Sequence, residues 1–460
     1  MSWCVMMQTM QPRIIPRNEH RISRKQISYN VLRTLYRLRD NGFVAYLVGG
    51  CVRDLLLERT PKDFDIATDA TPAQIKRLFR NCRLVGRRFR LAHLYFKDEI
   101  LEVSTFRAST PPDDEEIEEE LQSSVSPRHL KNEDGMVLRD NVFGTPEEDA
   151  LRRDFTVNAL AYNIADFTVI DYSTGLSDLQ ERLIRPIGDP YIRFTEDPVR
   201  MIRAVRFAAS HNFEIEPATW ETICELSNTI SRASPSRMYE EIQKLFLLGA
   251  ARPVFDLMEK SGLLAAIFPS LSQWLSGNDQ HITVLRSNLE YIDRLCRSEN
   301  QPSASLFFAA FFGLSLEEAI VEKQREGIPR QQALDAVSHI FMKELQKTVN
   351  VPRRISNKMR AILSMQPSLR RRPPRRPFIT VNKPDFADAL AYLRLTAEIR
   401  GEGRAALRWW DEFISGDSEA KISEQASEET PAKKPRKRRR RRRPPVASDK
   451  MLPEDKKEES

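Results

Sequence analysis

Cysteine, histidine and long apolar runs are all scarce in this chain of 460 residues. The five cysteines are odd in number and form no Cys-x-x-Cys pair, which argues against a disulfide framework and a structural zinc site. Unpaired cysteines are typical of a reducing cytoplasm, where we expect the protein. No run of about 18 or more apolar residues occurs, so we expect no transmembrane helix. The six histidines are scattered and none adjoins an aspartate, which argues against a phosphohydrolase.

Positive charge is concentrated near the end of the chain. The 72 Lys+Arg and 65 Asp+Glu residues produce a net charge of +7, and ten of the basic residues lie in one short stretch without an acid. Removing those ten leaves −3 for the rest, so a diffuse basic coat of the histone-like kind is excluded. The ten residues are Lys433, Lys434, Arg436, Lys437, Arg438, Arg439, Arg440, Arg441, Arg442 and Arg443.

Apolar periodicity divides the chain into a mixed α/β part and a helical part. Short strands and helices alternate first, and from Asp197 onward the pattern is helical almost throughout. Residues 113–120 are acidic except at Ile117, which predicts a solvated loop. Residues 370–377 hold five arginines and three prolines and cannot form a regular helix throughout; they are either a second basic site or a solvated loop. Beyond about Gly416 the composition predicts disorder.

The sharpest local signal is a glycine pair followed by two alternating aspartates. Gly49 and Gly50 let the backbone approach a phosphate closely, and Arg53 follows on a short predicted helix. Asp63 and Asp65 alternate along a predicted strand, so their carboxylates share one face, where Mg²⁺ removes their mutual repulsion. The alternative is an ordinary strand-to-helix turn beside two solvated aspartates. The P-loop string and the Rossmann fingerprint are both absent.

Two further carboxylates are candidates for the same site. Glu102 alternates with apolar neighbours on a predicted strand; it either adds a carboxylate to that face of the sheet or is simply exposed. Asp154 follows Arg152 and Arg153. It is either a salt-bridged residue at a helix start or a third active-site carboxylate with a phosphate-binding arginine beside it.

Three arginines recur at every third position of the helix that Asp197 begins. Arg200, Arg203 and Arg206 lie near one face of this helix. They form either a solvated basic stripe paired with nearby acids or a row of guanidinium groups that binds phosphate oxygens and a base edge.

Four segments together resemble the motifs of the class II nucleotidyltransferases, the family of the bacterial poly(A) polymerases and the CCA-adding tRNA nucleotidyltransferases. They occur in order over about 160 residues, which makes a chance match implausible. Residues 81–93 (NCRLVGRRFRLAH) resemble the segment that sets the polyadenylating members apart. The resemblance extends from Arg17 to about Phe413, and the acidic residues 113–120 depart from it. The four segments are residues 47–54 (LVGGCVRD), 63–65 (DFD), 152–158 (RRDFTVN) and 196–200 (EDPVR).

The resemblance implies a role for each matched position. Asp63 and Asp65 would hold two Mg²⁺ ions, for which Mn²⁺ could substitute, and Asp154 would be a third catalytic carboxylate. Asp197 and Arg200 would face the base. The nucleotide-binding residues that the resemblance implies are Gly49, Gly50, Arg53, Arg153, Asn158, Asp197, Arg200, Arg203 and Arg206.

The resemblance also implies an α+β fold, in which a small mixed-sheet nucleotidyltransferase head precedes an all-helical neck and body. The implied organisation is a flexible N-terminal segment at 1–22, a head at 23–190 with an acidic loop at 109–134, a neck at 191–250, a body at 251–415 and a disordered basic tail at 416–460.

The implied activity is template-independent addition of AMP from ATP to RNA 3′ ends, with release of pyrophosphate and promotion of RNA turnover. The alternatives are a CCA-adding enzyme and a non-catalytic RNA-binding protein on the same scaffold. The basic tail would attract single-stranded RNA through its phosphates; a solubilising end and a nuclear address are its other interpretations. A monomer is the simplest expectation.

Overall fold

The fold is known from a computed structural model, which describes residues 11–86, 90–108, 129–131, 137–140, 143–299 and 301–416. The chain divides into two compact units, Met1–Leu407 and Arg408–Ser460. Three predicted features lie outside the described residues. They are the acidic stretch 113–120, the basic stretch 433–443 and residues 87–89 of the segment that resembles the polyadenylating enzymes.

An eight-stranded mixed sheet lies in the first unit, with the strand order β1-β10-β9-β2-β3-β6-β5-β4. Its strands form because apolar side chains alternate: Leu47, Ile66 and Val103 are fully buried in one large core. Strands β3 and β6 are parallel, and the other neighbours in this sheet are antiparallel. The strands among the described residues are β1 Arg13–Ile15, β2 Ala45–Val48, β3 Asp65–Thr68, β4 Cys82–Val85, β5 Leu91–Tyr95, β6 Ile100–Thr105, β7 His129–Lys131, β8 Val137–Asp140, β9 Leu160–Asn163, β10 Val169–Asp171, β11 Leu183–Ile184 and β12 Glu214–Ile215.

Helices make up most of the chain after the sheet. Thr71, Thr145 and Asp189 each cap a helix whose first residue is proline. The start of each helix is therefore defined by a side-chain acceptor at the cap and by the fixed φ of the proline. The α-helices of the described residues are α1 Tyr29–Asp40, α2 Gly50–Leu56, α3 Pro72–Leu78, α4 Pro146–Leu151, α5 Gly175–Glu181, α6 Pro190–Glu196, α7 Val199–His211, α8 Pro217–Leu226, α9 Pro235–Phe246, α10 Ala251–Lys260, α11 Leu263–Ile267, α12 Pro269–Leu275, α13 Asp279–Cys296, α14 Ala304–Arg325, α15 Arg330–Leu345, α16 Arg353–Arg370, α17 Pro377–Val381, α18 Phe386–Ile399 and α19 Arg404–Ile414.

The predicted α+β class is confirmed: a mixed sheet is followed by an almost wholly helical region. The prolines of residues 370–377 also break the helix as predicted, because α16 ends at Arg370 and α17 begins at Pro377. The prediction of a flexible segment at 1–22 is wrong for Arg13–Ile15, which pairs with β10 as an edge strand. Three residues are too few for apolar alternation to reveal a strand.

Helix α14 is long and rich in buried phenylalanines. Phe307, Phe308, Phe311 and Phe312 are all buried, and the helix packs against α13, α15, α16 and α18. By length and composition alone it could cross a membrane, although no such helix is expected from the sequence. Because 61% of its apolar window is buried inside the fold, its surroundings are those of a core helix.

Candidate active site at the end of the central strands

Acidic side chains meet where strands β3 and β6 begin. Asp65 is the first residue of β3, and its backbone lies in parallel register with Glu102 of β6. Asp63 lies before the strand, which corrects the prediction that the strand starts there. All three carboxylates are exposed. Glu102 is both exposed and beside Asp65, so the structure fits both of its interpretations, and its place in the active site stays a prediction.

The charged groups at this edge of the sheet have opposing effects on the pKa of Asp65. Partial desolvation raises the pKa of Asp65, and so do the neighbouring charges of Glu102 and Asp63, while Arg153 lowers it. Among the described residues, no group of three or more His, Cys, Asp and Glu side chains lies close enough to hold a metal by itself. Mg²⁺ commonly uses one or two carboxylates and completes its shell with water and substrate phosphates. Asp63 and Asp65 fit that requirement.

The glycine pair forms a tight turn directly beside these acids. Gly49 has a φ of +80° and ends β2, and Gly50 begins α2. A Cβ on Gly49 would lie 2.8 Å from Nη1 of Arg153 and 3.8 Å from a carboxylate oxygen of Asp65. The positive φ favours glycine at this position, and a Cβ would also require the end of the Arg153 side chain to move. Arg153 is held by Asp149, which accepts a 3.1 Å hydrogen bond from its Nη2.

A hydrogen-bonded chain connects the glycine turn with helix α7. Arg53, only 6% exposed, donates to Oδ1 of Asn158 at 2.7 Å. Asn158 donates in turn to Asp154 at 3.1 Å. Arg203 of α7 donates from Nε to the other oxygen of Asp154 at 2.9 Å. Its Nη1 also donates to the buried Glu241 of α9 at 3.3 Å. The sheet region and two later helices thus share one polar network.

Both carboxylate oxygens of Asp154 are occupied inside this network. Oδ1 accepts from the backbone N–H of Phe155 and from Asn158, and Oδ2 accepts two bonds from Arg203. Burial alone would raise the pKa of Asp154, but the Arg203 guanidinium and these hydrogen bonds hold it far below its usual range. In this structure Asp154 is a salt-bridged residue, the first of its two interpretations. Its catalytic role stays a prediction.

The ring of Phe207 contacts three of the predicted nucleotide-binding arginines. The Cζ atoms of Arg206, Arg53 and Arg203 lie 4.4, 5.3 and 5.6 Å from its centroid. Burial and then Arg203 lower the pKa of Arg206, whose nearest carboxylate, on Glu241, is 3.9 Å away. An aromatic face attracts a guanidinium without neutralising it. Phe207 therefore contacts all three cations, and Arg206 keeps the most charge for an anionic ligand, because Arg53 also donates to Asp54 and Arg203 donates to Asp154.

The predicted base-reading residues share a backbone hydrogen bond, from the N–H of Arg200 to the oxygen of Asp197 at 3.0 Å, but their side chains have other partners. Both carboxylate oxygens of Asp197 accept from Arg237, at 2.9 and 2.6 Å. Arg200 instead donates to Glu196 at 3.4 Å and to the backbone oxygen of Arg193 at 3.1 Å. Sequence patterns did not identify Arg237, because it is forty residues away on α9 and carries no motif.

Comparisons with known proteins identify the family of the chain. Three family models match: the poly A polymerase head domain over residues 45–185, a probable RNA and SrmB-binding site of polymerase A over 212–275, and the polymerase A arginine-rich C-terminus over 326–444. A solved CCA-adding enzyme of Bacillus stearothermophilus in complex with CTP superposes with a TM-score of 0.56 and 24% identity, covering 84% of this chain and 82% of that one. At this identity the likeness shows the fold alone, which is that of a nucleotidyltransferase.

Two curated relatives define the group more closely. Poly(A) polymerase I of Salmonella typhi is 42% identical over 405 residues, 87% of this chain and 85% of that protein. The CCA-adding enzyme of Lactobacillus gasseri is 35% identical over 232 residues, half of this chain and 53% of that protein. The chain belongs to the poly(A) polymerase I family of nucleotidyltransferases, and the CCA-adding enzymes are more distant relatives.

The Asp154–Arg203 pair yields a prediction on stability. We expect Asp154→Asn to reduce the free energy of unfolding at pH 7 by about 3 kcal/mol, because Arg203 would lose the charge of Asp154 and keep only the longer contact with Glu241. Since the pKa of Asp154 is lowered, the pair stabilises the fold above the ordinary carboxyl pKa of about 4, and this stabilisation is lost as the pH falls through the lowered pKa. Urea unfolding should therefore show a smaller difference near pH 2 than at pH 7. Equal stability at pH 7 would contradict the ion-pair interpretation.

The Phe207 contacts yield a prediction on nucleotide affinity. Phe207→Leu keeps an apolar side chain but removes the ring, so we expect KM for the nucleoside triphosphate to rise about 3- to 10-fold, with a smaller change in kcat. Phe207→Tyr keeps the ring and should restore the wild-type KM. Phe246→Leu is the control, because Phe246 is buried against Phe307 at 4.9 Å and should lose stability without a change in KM. Equal KM shifts for Phe207→Leu and Phe246→Leu would indicate a merely structural effect.

Proposed function

We propose that the protein is a template-independent polynucleotide adenylyltransferase, which transfers AMP from ATP to RNA 3′ ends and releases pyrophosphate. The observation that carries this proposal is the placement of Asp65, Asp63 and Glu102 beside the Gly49 turn and Arg153. Acids that suit a metal thus lie next to donors that suit phosphate. The 42% identity to a poly(A) polymerase I over most of both chains favours ATP and RNA as the substrates.

Asp63 and Asp65 would hold two Mg²⁺ ions, and Mn²⁺ would be a substitute. Bound there, the metal would lower the pKa of the RNA 3′-hydroxyl and neutralise charge on the leaving pyrophosphate. The chain's own acids supply the hard oxygen ligands, and their exposure leaves room for phosphate oxygens. Glu102 is better placed than Asp154 to serve as a third carboxylate, since Glu102 adjoins Asp65 and Asp154 is bonded to Arg203.

The triphosphate would lie between the glycine turn and the arginines. The Gly49–Gly50 turn permits a close backbone approach, and Arg153 is already oriented by Asp149. Arg206 would add a cationic donor that the Phe207 ring holds in place. Arg53 is bonded to Asp54 and Asn158, and it would contact the phosphates by exchanging one of these partners. In-line attack of the RNA 3′-hydroxyl on the α-phosphorus of ATP then needs mostly positioning and charge stabilisation.

Adenine would be read by Asp197 and Arg200 without a template strand. A carboxylate accepts from the adenine amino group, and a guanidinium donates to the neighbouring ring nitrogen. Arg237 fixes the direction of the Asp197 carboxylate, and Glu196 contacts the guanidinium of Arg200. Two groups that are oriented before the nucleotide arrives favour the bases that present an amino donor beside a ring-nitrogen acceptor.

RNA would be bound outside the nucleotide site as well. The family match over residues 212–275, described as a probable RNA-binding site of polymerase A, supports contact by that part of the helical region. The ten basic residues between Lys433 and Arg443 would attract RNA phosphates without choosing a sequence. We further propose that the protein is cytoplasmic and that the added tails promote RNA turnover.

A nucleotide-selectivity assay tests the proposal. The full chain is incubated with Mg²⁺, an unstructured RNA and either ATP alone or CTP alone. We expect AMP to be added repeatedly and CMP hardly at all, because the relative that is 42% identical over most of both chains is a poly(A) polymerase I. Asp197 and Arg200 alone would not separate the two bases, since cytosine also presents an amino donor beside a ring-nitrogen acceptor. Ready incorporation of CTP into tRNA lacking its end would instead favour the CCA-adding alternative.

Asp65→Asn is the control for this assay, since it keeps the size of the side chain and removes its charge. We expect AMP incorporation to fall by about 100-fold or more. The raised pKa of Asp65 means that the fold disfavours the ionised form at neutral pH. In EDTA the variant should therefore melt at the same temperature as the wild type or higher. Unchanged incorporation would refute the metal assignment.

A further inference from the structure

An arginine-rich loop connects helices α16 and α17, far along the chain from the nucleotide site. Arg371, Arg372, Arg375 and Arg376 are all exposed in it. Within the described part of the chain, the structure shows no carboxylate bonded to any of these four guanidinium groups. Four uncompensated positive charges therefore lie on six consecutive residues.

The carboxylates nearest in the fold are already paired with other arginines. Arg370, the residue immediately before the loop, lies 2.9 Å from Glu402. Arg400 lies 3.2 Å from Glu317 and 3.6 Å from Glu402. These two arginines are mostly buried and need their acids. Arg370 and Arg400 are therefore structural, whereas the four loop arginines are exposed and have no counter-charge in the described part of the fold.

Helix electrostatics do not account for all four charges. Arg371 and Arg372 follow the C-terminus of α16, where a cation is favourable. Arg375 and Arg376 precede the first residue of α17, where a cation is unfavourable. Phe378 and Ile379 come next and are 54% and 57% exposed, so an apolar surface adjoins the cations.

We propose that this loop, residues 371–376, is a second contact for single-stranded RNA. The proposal rests on the proposed function, in which RNA is the acceptor. Guanidinium groups bind phosphate oxygens with two parallel hydrogen bonds. The loop lies inside the match to the polymerase A arginine-rich C-terminus, residues 326–444, and it is separate in sequence from the matched segment 212–275 and from the basic stretch 433–443.

The test compares two quadruple variants of the full chain by RNA binding without ATP. The loop variant carries Arg371→Ala, Arg372→Ala, Arg375→Ala and Arg376→Ala. Its control carries Arg21→Ala, Arg39→Ala, Arg294→Ala and Arg360→Ala. Each of those exposed arginines is paired with an acid: Glu58, Asp40, Glu398 and Asp335, respectively. The net charge therefore changes equally in both variants.

We expect the loop variant to bind an unstructured RNA of about 20 nucleotides about tenfold more weakly. The slope of log affinity against log salt should fall by about 0.7 for each phosphate contact that is lost. The double variant Arg375→Ala, Arg376→Ala should show about half of that change. The control should stay within about twofold of the wild type, and all variants should keep the wild-type melting temperature because the replaced side chains are exposed.

The outcomes separate this proposal from the proposed function. Wild-type affinity and salt slope in the loop variant would overturn the RNA contact, whether or not the chain adds AMP. Loss of binding to anionic lipid vesicles with unchanged RNA binding would also overturn it, in favour of a membrane surface. Failure of the wild type to add AMP, while the loop variant still loses RNA affinity, would refute only the proposed function.

Discussion

The ion pair between Asp154 and Arg203 is the contact on which the geometry of the site depends. It joins the segment that precedes β9 to helix α7, and Glu241 extends the connection to α9. Through Asn158 the same pair reaches Arg53 beside the glycine turn. Without this pair, fewer contacts would connect the residues proposed to bind the metal, the phosphates and the base.

The site also concentrates like charges, which the fold must tolerate. Carboxylates gather at the start of β3 and β6, where they raise the pKa of Asp65. Arginines gather on α6 and α7, where burial and Arg200 lower the pKa of Arg193 to about 10. Both groups would be more stable with their counter-charges, a metal ion and a triphosphate. This kind of local strain is what ligand binding relieves, and it is found preferentially at functional sites.

Local sequence patterns were sufficient to predict the proximity of site residues that lie within one turn or strand. The Gly49–Gly50 turn, Arg53 and the pair Asp63 and Asp65 are close in sequence, so spacing and alternation already place them together. Alternation nevertheless started the strand too early, since Asp63 lies outside β3. Alternation of polar and apolar residues does not show where a strand begins when the residues before it are also polar.

Contacts that depend on packing of distant elements were beyond the reach of these patterns. Arg237 and Glu241 reach the site only because α9 packs against α7. Phe207 had the pattern of an ordinary core residue, and its contacts with three arginines depend on where Arg53 lies in the fold. For Asp154 the sequence allowed both a salt bridge and a catalytic carboxylate. The bond with Arg203 is seen only in the fold.

The bond between Arg237 and Asp197 is compatible with base reading, because a carboxylate has about four lone-pair positions. Arg237 uses one on each oxygen, and the backbone N–H of Val199 approaches Oδ1 at 3.3 Å. One position on Oδ2 remains, enough for the amino group of adenine. Arg237 thereby limits the directions from which a base can be accepted, and a base that presents no donor there would gain nothing from Asp197. This restriction of acceptor capacity would favour bases that present an amino donor there, adenine and cytosine alike, so the choice between these two needs contacts beyond Asp197.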